Sequence, residues 1–204
     1  MDERIKTLAR QGATHLEQRQ LPKALALYAE LFQLCEEQRG LHPDDSEVQR
    51  FWCLCCNGTG LGYSMSGDQV TARVWFQKGL PLCERLAEAS EAVQAGRDLS
   101  ISYGNMGDTF VAEKNFAEAH CWYKKKWQLA RRLAEQAGED ADWYDLAISC
   151  CKMGLVSQDK EQLDWYRQAW EILVPLVARN PDDRWYAQVK DSCEKTIRML
   201  ENKG

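Results

Sequence analysis

The sequence predicts an all-helical protein built as an array of repeated helix hairpins, and three observations predict it. Four glycines, Gly12, Gly60, Gly107 and Gly154, recur at spacings of 48, 47 and 47 residues. An aromatic residue follows each of them sixteen positions later, at Tyr28, Phe76, Tyr123 and Trp170. Alanine stands twelve positions after the first three, at Ala24, Ala72 and Ala119. Three residue classes in step across 204 residues define a repeated structural unit, because self-similarity at a period of 20 to 50 residues marks a stacked array.

Each unit reads as two helices joined by a short polar turn. The first helix carries the glycine, with small or apolar residues four before, one before and three after it, as in Cys56, Thr59 and Tyr63 or Tyr103, Met106 and Phe110. That spacing places them on one helical stripe. Turns follow at Arg19 to Leu21, with Pro22 suited to the first helical position, at Ser66 to Asp68, and at Lys114 and Asn115. The second helix then runs, for example, from Phe116 to about Ala137.

Glycine and alanine let the paired helices approach closely, which explains keeping a glycine in a helix at a cost of about 1 kcal/mol. The aromatic one turn beyond the alanine fills the space past the crossing. Pairs such as Phe32 and Leu34, Leu80 and Leu82, Trp127 and Leu129, and Val174 and Leu176 recur in register and are expected to meet the next unit. In the fourth unit Tyr166 stands where alanine is expected, so its helices splay or its turn differs. Pro81 and Pro175 both fall twenty-one residues after a glycine, inside second helices, and a kink is expected at each. Asn180 to Trp185 supplies a break and a capping aspartate before a charged final helix that ends at about Asn202. The expected organisation is one domain with repeats at about 1–42, 43–90, 91–138 and 139–180 and a capping helix at 183–202.

Composition narrows the function classes. At 45% hydrophobic and 28% charged, with five prolines, the chain has the makings of a packed core and not of a disordered segment. Its 26 basic residues against 31 acidic ones, net charge -5, argue against a dedicated nucleic-acid binder, which needs a basic face for phosphates. The cluster Lys124, Lys125, Lys126, Arg131 and Arg132 reads as the solvated side of an amphipathic helix whose other side carries Trp127 and Leu129. The charged N-terminus lacks a secretory core and no apolar run approaches the ~20 residues of a membrane span, so a cytoplasmic protein is expected.

Nine cysteines in such a chain are read as reduced thiols. Cys53, Cys55 and Cys56 lie on a helical stretch with no partner pair at zinc-site spacing, so they read as buried small residues and no metal site is expected. The three histidines, His15, His42 and His120, sit apart, and His120 and Cys121 point about 100° away from each other on a helix, too far to form a catalytic pair. No catalytic residues and no cofactor are expected.

The run from Arg97 to Tyr123, RDLSISYGNMGDTFVAEKNFAEAHCWY, resembles the tetratricopeptide repeat, in particular its long bacterial version of roughly 47 residues. Arg50 to Gly60, Trp143 to Gly154 and Leu8 to Tyr28 are similar, so the likeness spans almost the whole chain. The resemblance implies a right-handed α-solenoid of four helix hairpins plus a capping helix, whose first helices line a concave groove for an extended peptide or a partner helix. Groove positions are then six, three and two before each glycine and one, four and five after it. Among them Lys6, Arg10, Asn57, Leu61, Met65, Asn105, Asp108, Lys152 and Leu155 are the candidate ligand contacts. Asparagine offers a peptide backbone both donor and acceptor, and Arg or Lys meets a carboxylate; read as solvated polar residues, the same line requires no ligand. The expected role is a protein-interaction scaffold, monomeric or weakly dimeric. A self-assembling scaffold and a regulatory module of a larger signalling system are the alternatives.

Overall fold

The computed structural model describes residues 3–89 and 92–202. Those residues form nine α-helices and no strand: α1 (Glu3–Glu17), α2 (Leu21–Leu41), α3 (Ser46–Met65), α4 (Gln69–Ala89), α5 (Val93–Ala112), α6 (Phe116–Ala137), α7 (Asp140–Val156), α8 (Asp159–Arg179) and α9 (Arg184–Glu201). They group into two compact units, Met1–Ala112 with α1 to α5 and Glu113–Gly204 with α6 to α9. Within each unit, helices adjacent in sequence pack against one another, and α3 also touches α1 and α5.

The turns have a shared chemistry. Seven residues after each of the first three repeat glycines the backbone enters the left-handed region, at Arg19 (φ 55°), Gly67 (φ 92°) and Lys114 (φ 60°). At α1 and α3 the amide after that residue donates back to the helix, Gln20 N to His15 O at 2.8 Å and Asp68 N to Tyr63 O at 3.0 Å. This is the six-to-one closure of a helix ended by a left-handed residue. Side-chain caps start the following elements: Asp45 accepts from Glu47 N and Val48 N, Asn115 from Glu118 N, and Asp183 from Trp185 N and Tyr186 N.

Second helices share a register that sequence spacing from the glycines does not reveal. Counted from the first residue of the helix, the eighth, eleventh and fifteenth places point inward: Tyr28, Leu31 and Cys35 in α2, and Phe76, Gly79 and Cys83 in α4. In α8 Ala169 and Leu173 hold the last two of these places and Tyr166 the first. The fourth repeat is therefore built with a shorter turn, since α8 begins five residues after its glycine where α2 and α4 begin nine after theirs. Tyr166 is the counterpart of Tyr28 and Phe76, not of the alanines. Trp170, expected as the aromatic, lies half-buried one turn further on.

Glycine at the crossing is explained by what faces it. A Cβ on Gly12 would lie 3.0 Å from the Tyr28 ring, on Gly60 2.4 Å from Phe76, and on Gly154 2.8 Å from Tyr166. Three further sequence readings are corrected by the same register. Val174 is exposed and does not repeat the buried role of Leu80, because its helix is displaced by one turn. Pro81 and Pro175 occupy the thirteenth and seventeenth places of α4 and α8, so their common distance from a glycine is not a structural equivalence, and both helices continue through them. Lys126 leaves the solvated basic face: at 3% exposure it takes the eleventh, inward place of α6.

Candidate protein-binding face

The motif that carries the tetratricopeptide likeness is first of all structural. Asp98 and Asp145 stand nine residues before Gly107 and Gly154, at the same register of the first helix of successive repeats. Buried Asp98 accepts from Arg50 Nε at 2.5 Å and from Gln94 Nε2 at 2.9 Å, which ties α3 to α5. Asp145 accepts from the buried Lys126 ammonium at 2.5 Å, which ties α7 to α6. Burying a charge is tolerated only when it is paired in this way. Four residues on, Ser102 and Ser149 donate their hydroxyls back to the carbonyls of Asp98 and Asp145.

Most thiols are packing atoms. Burial pushes the Cys35 thiol up to about 11 and the Cys56 thiol up to about 12, which keeps both protonated and poorly nucleophilic. Among the described residues no three His, Cys, Asp or Glu side chains converge at a spacing suited to a metal ion.

In the first unit, α1, α3 and α5 supply the candidate face. Arg10 is exposed, and no ion pair or hydrogen bond to its guanidinium occurs among the described residues. Lys6 is half-buried near two carboxylates, Glu3 at 3.9 Å and Glu47 at 3.8 Å. Leu61 and Ile101 expose 38% and 50% of their surface, Met65 and Asn105 are half-buried, and Asp108 is exposed. Asn57 differs from its neighbours in the predicted set. At 7% exposure it lies between α3 and α5, where its Nδ2 donates to Ser102 Oγ at 2.8 Å and its Oδ1 has no partner among the described residues.

In the second unit, α7 carries the remaining candidates. Leu155 is 49% exposed. Lys152 is half-buried with its ammonium 5.1 Å from the centre of the Tyr123 ring, a cation-π contact that draws it toward the protein. Tyr28 makes the corresponding contact in the first unit with Gly58, which like Lys152 stands two residues before its repeat glycine. A Cβ on Gly58 would lie 2.2 Å from the Tyr28 ring, so nothing larger than glycine fits.

A feature that sequence reading missed is a cavity of about 190 Å³ lined by Arg50, Cys53, Cys83, Gln94 and Asp98. Its signal was available in the motif itself, since an arginine in the Arg97 register of one repeat faces the aspartate of the next.

Solved structures that resemble the chain share its architecture. It superposes on the apo form of RapI with TM-score 0.62 at 12% identity, over 93% of this chain and 62% of that one. The chain is a helical repeat protein. It also superposes on BtubC from P. vanneervenii with TM-score 0.63 at 12% identity, over 98% of this chain and 80% of that one. At such identity the likeness is one of fold, and the chain spans less than two thirds of the length of RapI. No protein-family model matches the sequence, and no curated protein does. No helix among the described residues is long and apolar enough to cross a membrane.

Proposed function

We propose that the chain is a non-catalytic interaction module of the tetratricopeptide type that holds an extended peptide or a partner helix against its first helices. The observation that carries this reading is the pair Leu61 and Leu155. Each stands one residue after its repeat glycine, and each leaves a large apolar side chain exposed, 38% and 49%, on a helix whose opposite stripe is buried. Ile101 adds a third apolar contact and Arg10 an uncommitted guanidinium suited to a carboxylate on the ligand. Scattered exposed leucines need no explanation, but an exposed leucine at the same register of a first helix in each unit favours a docking position on that helix face, α3 in the first unit and α7 in the second.

The test starts from peptides selected on the full chain from a random displayed library. Leu61→Asp is expected to weaken such a peptide at least about tenfold, the cost of ~1.4 kcal/mol at one contact. Val74→Asp, on the exposed side of α4, is expected to leave it unchanged. Equal loss in both variants, or none in Leu61→Asp, removes the reading.

Self-association is the second reading, and Val70 and Val74 favour it. They stand one turn apart on α4 with 66% and 59% of their surface exposed. Light scattering across a concentration series decides it: growth in mass that Val74→Asp abolishes supports assembly through α4.

A further inference from the structure

Two thiols of the second unit are neither remote nor inert. Cys151 on α7 and Cys193 on α9 place their sulfurs 3.3 Å apart. A disulfide needs about 2.05 Å between sulfurs, a closure within reach of small side-chain rotations. The helices are already aligned for it. Tyr144 of α7 stacks on Tyr186 of α9 with ring centres 4.7 Å apart, and both members of the thiol pair lie seven residues further along their helices. Seven residues are two helical turns, so the ring pair and the sulfur pair sit on the same seam between two helices that run in the same direction.

Their surroundings separate this pair from the packing thiols. Cys193 is the buried residue of α9, whereas Cys151 is half-buried and gives the pair an edge open to a small solute. The hydrogen bond shared with Cys151 holds the Cys193 thiol below its ordinary range, against the effect of its burial. A thiol with more thiolate character beside a second thiol is the arrangement that oxidises to a disulfide instead of to higher acids.

We propose that Cys151 and Cys193 are a modification site, a dithiol that hydrogen peroxide converts to a disulfide fastening α9 to α7. One thiolate attacks the peroxide O–O bond, becoming a sulfenic acid as hydroxide leaves and is protonated to water. The second thiol then attacks that sulfur, the S–S bond forms, and the hydroxyl departs with the thiol proton as another water. The dithiol loses two electrons and peroxide gains them. The chemical consequence is mechanical: the closing helix of the second unit, which packs along α8 and meets α7 only at a short seam, becomes covalently tied to the helix that bears Lys152 and Leu155.

The experiment uses the full chain in a Cys121→Ser background, which removes the exposed thiol that would otherwise link two molecules. Reduced protein is titrated with hydrogen peroxide, free thiols are alkylated, and peptides are read by mass spectrometry. The expected product is a linked pair of peptides carrying Cys151 and Cys193, lighter by two hydrogens and restored by a reductant. The melting midpoint of the oxidised protein is expected to rise by on the order of 10 °C, the effect of closing a loop of this length. Cys151→Ser is expected to abolish both changes. If it folds poorly, the wild-type peptide map alone decides. Alkylatable Cys151 and Cys193 after peroxide, their recovery as sulfinic or sulfonic acids, or linkage to other cysteines would overturn the proposal.

Discussion

The hairpins α3/α4 and α7/α8 solve one packing problem with two turns. In the first, Gly60 faces Phe76 across sixteen residues; in the second, Gly154 faces Tyr166 across twelve. The four missing residues come out of the end of the first helix and the turn, and the inward places of the second helix remain the eighth, eleventh and fifteenth. What repeats in this chain is therefore the register of side chains against a neighbouring helix, and the turn absorbs the rest. Chain-entropy costs explain the tolerance, since shortening a surface loop changes closure entropy by less than about 1 kcal/mol while moving a helix by one residue would rotate its core face by about 100°.

The largest effect follows from the eleventh place, which holds Leu31, Gly79 and Ala169 in three second helices and Lys126 in α6. If that place always faces inward, a lysine survives there only with its charge paired, and Asp145 is one partner that pairs it. Asp145→Asn is expected to cost about 3 kcal/mol by denaturant titration, in the range for removing one partner of a buried pair. Asp98→Asn, at the same register one repeat earlier, is expected to cost about 1 kcal/mol, because Arg50 is one third exposed and can rehydrate. Equal losses would mean that the eleventh place is not the harsher environment.

A smaller effect compares the glycines directly. An alanine Cβ at Gly60 would stand 2.4 Å from Phe76, against 2.8 Å from Tyr166 at Gly154. Overpacking costs ~1 to 3 kcal/mol, while alanine gains about 1 kcal/mol over glycine in a helix. Gly60→Ala is thus expected to lose about 2 kcal/mol overall, and Gly154→Ala, whose tyrosine is half-buried and freer to tilt, less than about 1 kcal/mol. Reversal of that order would show that the two hairpins are packed differently after all.

Smaller again, and opposite in sign, are the left-handed turn residues. Gly67 holds that conformation without strain, while Arg19 and Lys114 hold it at a cost of about 1 kcal/mol for a residue with a Cβ. Lys114→Gly and Arg19→Gly are expected to raise stability by up to that amount in thermal melts; the fourth repeat, with its shorter turn, carries its left-handed residue at Asp159 (φ 49°), five residues after its glycine.

Much of this was legible in the sequence because the repeat glycines and aromatics have one steric job each. The helix boundaries, the Asp183 cap and the buried cysteine run follow from capping chemistry and periodicity. The shortened fourth turn was visible only as a tyrosine out of place, since spacing from the glycine cannot tell a shifted helix from a substituted one. Lys126 was misread because a lysine among lysines looks solvated, and its carboxylate lies nineteen residues away. Asn57 belongs to the same class: its position on the predicted groove stripe is right by period, yet the neighbouring first helix covers it and engages it through Ser102. Periodicity assigns a residue to a side of its own helix; what the next helix does to that side is tertiary information. The same limit applies to Lys152, whose contact with Tyr123 makes Arg10→Glu a cleaner test of ligand charge than a reversal at Lys152.

The last difference between the two hairpins lies at their open ends and is electrostatic. Asp140 begins α7 and Arg179 ends α8, and the two bond at 2.6 Å with Asn180 adding a second donor at 2.7 Å. The same places in α3 and α4 are Ser46 and Ala89, which carry no charge. The hydrogen bonds from Arg179 and then Asn180 hold the Asp140 carboxyl below its ordinary range. A carboxyl depressed in the folded state contributes stability above its unfolded pKa of about 3.9 and loses it as pH falls through the folded value. Acidification below about pH 4 is therefore expected to loosen the mouth of α7/α8, where the bonds from Arg179 and Asn180 to the Asp140 carboxylate are lost. Because the pair is exposed, the change is expected to be the smallest of the set and to show as reduced amide protection, corrected for intrinsic exchange, in the first turn of α7. Asp140→Asn should remove the acid dependence at that turn; the same dependence in wild type and variant would assign the loosening to other carboxyls.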